Sequence, residues 1–155
     1  MKKYSPLCVA NQFIKISPNG ETHMKLQKLV YMAYGAWLRE NNEPFITEEP
    51  QVWQYGPVFA SLYHNLKIFR STPITSSQLA TLQSTEEINE AEAITTTQSV
   101  WERYKDYTAA DLSDITHQSG SPWYEVAKEN NFRVPQGTTI PTEIIKQHFR
   151  AYPDK

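Results

Sequence analysis

The stretch from Thr22 to Asn41 constrains this chain more than any other. Leu26, Leu29, Val30, Ala33, Trp37 and Leu38 recur at spacings of three and four, the pattern of a helix with one apolar stripe. Met24 and Tyr34 widen that stripe, while Lys25, Lys28 and Arg39 lie off it. Thr22 supplies a capping hydroxyl, and Asn41-Asn42 followed by Pro44 stops the run. A helix this long with so broad an apolar face is expected to be the central element, with the remaining elements packed around it.

Those elements are also helical in the main. Ser5-Pro6 starts a helix carrying Leu7, Ala10, Phe13 and Ile14, which ends at Ser17-Pro18-Asn19-Gly20. Phe45-Ile46-Thr47 and Gln51-Val52-Trp53-Gln54-Tyr55 flank a polar turn with Pro50, which predicts a small hairpin between these two runs. Gly56-Pro57 is expected to break the second strand and to open a helix bearing Val58, Phe59, Leu62, Tyr63, Leu66 and Phe69. From Ser71 the composition turns to Ser, Thr and Gln, predicting a polar loop at about 71–90. A helix follows from about Ala91 to Tyr107. Thr108 and Asp111 form a capping box ahead of Leu112 and Ile115. Ser121-Pro122 starts a short helix with Trp123, Val126 and Ala127, and Pro141 lies in the first turn of a last helix with Ile144, Ile145, His148 and Phe149. The expected fold is mainly α: one compact helical domain over residues 1–155 with a small two-stranded β-hairpin.

Composition narrows the function classes. With 39% hydrophobic and 21% charged residues the chain is globular, and a net charge of −2 offers no basic excess for nucleic acid. The one cysteine, Cys8, sits in an apolar stretch and reads as a small buried hydrophobe. No apolar run reaches the roughly 20 residues needed to span a bilayer, and the N-terminus lacks the apolar region of a signal peptide, so the cytoplasm is the expected location. Nothing in the sequence sets an oligomeric state.

Catalytic and cofactor motifs do not stand out. His23, His64, His117 and His148 are widely spread, and none pairs at the spacing of a helix-borne zinc site. His117, three residues after Asp114, is the best of them as a base, against the plainer reading of an imidazole bonded to a backbone carbonyl near a helix end. Glu86, Glu87, Glu90 and Glu92 lack a calcium-loop pattern and read as a solvated face. The expectation is a protein without catalytic, metal or cofactor residues. Trp53, Tyr55, Gly56 and Pro57 support two readings: a structural lock of the hairpin on the long helix, or an aromatic docking feature on a fixed turn. Lys25 and Lys28 are either a solvated face or cationic arms that meet an acidic partner or the domain's own carboxylates.

Three segments resemble a known family when taken in order: Val9-Ala10-Asn11 with Phe13, Met24-Lys25-Leu26-Gln27-Lys28-Leu29-Val30-Tyr31, and Val52-Trp53-Gln54-Tyr55-Gly56-Pro57-Val58. They are similar to the signature of the Panacea domain, also described as SocA-like or phage-associated GepA-like. Thr116-His117 and Ser121-Pro122-Trp123 agree more loosely, and the resemblance runs from about Leu7 to Phe149. It implies a mainly helical antitoxin that neutralises a cognate protein toxin encoded by the adjacent gene, by direct binding. The alternatives are an adaptor that delivers the toxin to an ATP-dependent protease, or a phage or mobile-element regulatory protein. It marks Lys25, Lys28, Tyr31, Trp53, Tyr55, Gly56, Pro57, His117 and Trp123 as signature positions available for partner binding. An enzyme using His117 and a DNA-binding regulator are the competing classes, the first lacking a second base or nucleophile and the second disfavoured by charge.

Overall fold

The computed structural model describes residues 2–80 and 86–153. Eight α-helices and one two-stranded sheet are present among them: α1 (Pro6–Ile16), α2 (His23–Glu40), β1 (Gln51–Trp53), β2 (Gly56–Val58), α3 (Ala60–Leu66), α4 (Ser76–Leu79), α5 (Ala91–Tyr104), α6 (Ala109–His117), α7 (Pro122–Glu129) and α8 (Thr142–Ala151). The mainly helical architecture is as the periodicity predicts. Several helix starts are those the side chains dictate. Ser5, Thr22 and Ser121 accept hydrogen bonds from the amides of Cys8, Lys25 and Tyr124, and Thr108 and Asp111 close a reciprocal capping box.

The central role of α2 goes further than one stripe. It packs against α1, α3, α5, α6, α8 and β2, and every residue from Lys25 to Gly35 is buried. A helix enclosed on all sides is usually apolar all round. This one carries Lys25, Gln27 and Lys28 inside, so the domain must satisfy each of them internally. Of the two readings of these lysines the solvated face fails, their exposures being 7% and 2%, and Lys25 pairs with the domain's own Glu21.

The hairpin differs from the expected one. Gln51, Val52 and Trp53 pair with Val58, Pro57 and Gly56, across the two-residue turn Gln54-Tyr55. Phe45-Ile46-Thr47 instead aligns with the N-terminus, where the Tyr4 amide donates to the Phe45 carbonyl and the Thr47 amide to the Tyr4 carbonyl. Burial explains the choice. Phe45 stacks on Trp37 with ring centroids 4.9 Å apart, and a pairing with β1 would draw it out of the core. Gly56-Pro57 does not open a helix; it is strand, and α3 begins three residues after Pro57. Pro57 is tolerated there because it faces Val52 at a position whose amides point outward. The Val52 amide donates to the Thr138 carbonyl, so the missing N–H of Pro57 removes no ladder bond.

The expected polar loop at 71–90 lies partly outside the described residues, at 81–85. Up to Leu79 it is well anchored. Glu21 and Ile74 exchange backbone hydrogen bonds at 3.2 and 2.7 Å, Ile74 is fully buried, and Thr75 and Gln78 form a capping box on α4. α5 ends at Tyr104, three residues short of the expected limit. Cys8 is buried, and desolvation pushes its thiol up to about 11. No helix among the described residues is long and apolar enough to cross a membrane.

Candidate recognition site

The buried polar side chains of α2 hold the hairpin. Gln27 donates from Nε2 to the Phe59 carbonyl at 3.1 Å and accepts from the Phe59 amide at Oε1, 2.9 Å away. One side chain thus makes the pair of bonds that a neighbouring strand would make. One residue on, Lys28 Nζ donates to the Pro57 carbonyl at 2.9 Å. The opposite edge of the sheet is covered too, by the Val52 amide on Thr138 and the Ile140 amide on Pro50. Neither strand therefore offers a bare edge to another chain.

Gly56 is where the hairpin meets α2 and α6. Its φ is +114°, and a Cβ there would stand 3.0 Å from Thr116 Oγ1 and 3.3 Å from Lys28 Cε and Nζ. Gln54 and Tyr55 keep negative φ, so the turn puts its conformational demand on Gly56. Gly56→Ala is expected to destabilise the fold by about 2–3 kcal/mol, from the strained backbone and the displaced lysine head. Urea unfolding measures this. A cost under about 0.5 kcal/mol would mean that β2 shifts freely off α2.

From this base the hairpin tip projects as a ridge. Tyr55 is 58% exposed at its crest. Trp53 lies in the wall shared by two hollows. The larger, of about 630 Å³, runs along the start of α2 and is lined by Met24, Trp53, Tyr55, Val58 and Tyr63, with Lys28 and Arg70 among its polar residues. The smaller, of about 320 Å³, lies on the α7 side and is lined by Trp53, Trp123, Phe132 and Val134. The ridge is braced from below. Trp123 Nε1 donates to the Trp53 carbonyl at 2.7 Å, and Ser113 Oγ to the Tyr55 carbonyl at 2.6 Å.

The signature positions fall into distinct surroundings. Trp53, Gly56, Pro57, Lys28 and Trp123 converge on the hairpin base, and Tyr55 caps it. His117 stands edge-on to Trp123 at 5.3 Å with Nδ1 against the Ser113 carbonyl, the geometry of an N–H donor. Lys25 lies apart, on the α5 side, bonded to Glu21 at 3.2 Å and to the Lys105 carbonyl at 2.6 Å, with its head over the Trp101 ring. Tyr31 is buried on another side, its ring edge-on to Phe149 at 5.9 Å. Its hydroxyl has no hydrogen-bond partner among the described residues, and burial raises its pKa.

His23, Met24, Gln27, Tyr63 and Arg70 also shape the site, though none of them stands out as a site residue in the sequence. The His23 ring lies tilted against Tyr63 at 5.5 Å, and Tyr63 tilted against Trp53 at 4.8 Å, forming an aromatic row along the larger hollow. The available signal was the spacing of His23 and Gln27, one helical turn apart on the face that carries Lys28's neighbours. Gln27 Nε2 lies 3.3 Å from His23 Nε2, which fits a neutral imidazole accepting the second amide proton. Desolvation, with Lys28 nearby, pulls the His23 pKa down to about 4.

That shift has a sign. Unfolded, His23 titrates near 6.5; folded, near 4, so between these values the unfolded chain holds the extra proton. Stability from this residue is full above pH 6.5 and is lost as pH falls through the window. His23→Gln, which keeps an acceptor for Gln27, is expected to remove on the order of 1 kcal/mol of that loss, after discounting for partial exposure. Urea midpoints at about pH 6.5 and 4.5 check it. Equal losses in parent and variant would place the acid sensitivity elsewhere.

Buried polar clamps beneath an exposed aromatic ridge define a helical domain that carries a braced hairpin on its central helix. The family model for the antitoxin SocA-like Panacea domain matches residues 26–124, which include the clamps, the hairpin and Trp123. The chain belongs to that family. Antitoxin SocA of Caulobacter vibrioides (strain NA1000 / CB15N) is 26% identical over 141 residues, covering 83% of this chain and 72% of the relative. No solved structure matches the chain.

Proposed function

We propose that this protein is an antitoxin that neutralises a protein toxin by binding it directly, without chemistry of its own. The observation that carries this reading is the ridge of Trp53 and Tyr55, exposed at its crest, flanked by two hollows and fixed from beneath. Rigid aromatic side chains beside desolvated hollows are the anchors from which tight interfaces draw most of their affinity. Family membership and the similarity to an antitoxin support the same reading. The braced Trp53 costs little conformational entropy on binding, which favours recognition by a preformed surface.

The test is co-expression with the product of the adjacent gene. Growth is expected to recover, and the two proteins to co-purify. Tyr55→Ala should weaken binding without unfolding the chain, because Tyr55 is exposed. Arrest that persists despite a well-folded antitoxin would sink the proposal. The half-life of the toxin separates blocking from delivery to an ATP-dependent protease. An unchanged half-life beside restored growth supports blocking, and a shortened one supports the adaptor.

A further inference from the structure

The fold treats the two buried lysines of α2 differently. Lys25 has an anion, Glu21, at 3.2 Å. Lys28 is buried more deeply, yet among the described residues its ammonium has no carboxylate, only the Pro57 carbonyl. A buried ammonium with three N–H donors and one neutral acceptor is poorly compensated. Burial accordingly lowers its pKa to about 8. Lys28 borders the larger hollow. So does Arg70, whose exposed guanidinium forms no hydrogen bond or ion pair among the described residues. Arg70 also sits at φ +54°, a conformation unfavourable for a side chain with a Cβ. Among the described residues the lining holds two cations and an aromatic row, and no Asp or Glu.

We propose that this hollow seats an exposed segment of the toxin in which a side-chain carboxylate lies next to a bulky apolar residue. The carboxylate is drawn to Lys28 and Arg70, and the apolar side chain packs against Met24, Trp53 and Tyr63. This rests on the reading of the chain as a toxin-binding protein. Because Gln27 and Lys28 already cap the outer edge of β2, the segment enters by its side chains and does not add a strand. An incoming carboxylate supplies the anion that Lys28 lacks, which rewards acidic segments over neutral ones.

The experiment uses the full chain and the adjacent-gene toxin. Arg70→Glu reverses a charge on the hollow at an exposed position. Lys3→Glu makes the same change in net charge near the far end of α2, where Lys3 lies beside Trp37 and Asn41. Arg70→Glu is expected to weaken binding by about tenfold or more, and Lys3→Glu by less than about twofold. A photo-crosslinking residue at Met24, on the exposed rim, should capture a toxin peptide with Asp or Glu within about three residues of the crosslink. Parent-like binding by both variants, or a captured peptide without an acid, overturns the proposal and leaves direct binding through another surface standing. A parent chain that binds no toxin removes this proposal and the function together.

Discussion

Gln27→Leu is expected to cost about 3–5 kcal/mol, or roughly 10 °C in melting temperature for a chain of this size. The side chain is 3% exposed and its amide serves three partners: the Phe59 amide, the Phe59 carbonyl and His23. Leucine fits the volume, so the loss is not one of packing. It comes from leaving a backbone donor and a backbone acceptor buried without partners, each worth about 1–3 kcal/mol, and from releasing His23. The strand end is short and has no other neighbour on that side to take over. Urea unfolding gives the stability, and toxin binding by the folded fraction gives the consequence, since the ridge rides on β2. A cost under about 1 kcal/mol would show that the clamp does not hold the strand, and that Phe59 finds other partners.

The same residue shows where legibility ended. The long helices and the capped helix starts were readable because they depend on local signals, apolar spacing and a hydroxyl before the first turn, whereas the short α4 inside the expected loop and the start of α3 were not. Ser5, Thr22, Thr108 and Ser121 all cap as their neighbours dictate. The hairpin was misread because its register depends on contacts distant in sequence. Gln54-Tyr55 carries no Asn-Gly type turn signal. Pro57 reads locally as a helix start, and only the outward Val52 amide makes it acceptable in a strand. Lys25 and Lys28 read as a polar face because one stripe was assumed. Six elements packed around α2 leave it no polar face, and no local pattern announces that. Of the candidate site, the signature residues Lys28, Trp53, Gly56, Pro57 and Trp123 were legible as a set. Met24, Tyr63 and Arg70 were not, because only the folded chain brings Tyr63 of α3 and Arg70 beyond it to the start of α2.

Gly35 makes the complementary case, where a small residue is required by close packing and not by backbone conformation. It lies inside α2 with ordinary helical φ, a place where alanine is normally favoured by about 1 kcal/mol. Here a Cβ would stand 2.2–2.4 Å from three ring atoms of Phe149, which lays its ring directly on the glycine. The ring has little room to retreat, being 5% exposed and edge-on to the buried Tyr31. Gly35→Ala is therefore expected to destabilise by about 2–4 kcal/mol despite the better helix former, by prising α8 from α2. Phe149→Leu alone should cost about 1–2 kcal/mol through lost packing. The double variant should be more stable than the sum of the single costs implies, by at least about 1 kcal/mol, because the shorter side chain makes room for the new methyl group. Chemical denaturation of the four proteins measures the coupling. Additive costs would mean that the strain of Gly35→Ala is relieved elsewhere than at Phe149. A stabilised Gly35→Ala variant would mean that α8 has slack against α2, and the close approach of the two helices would then have no energetic weight.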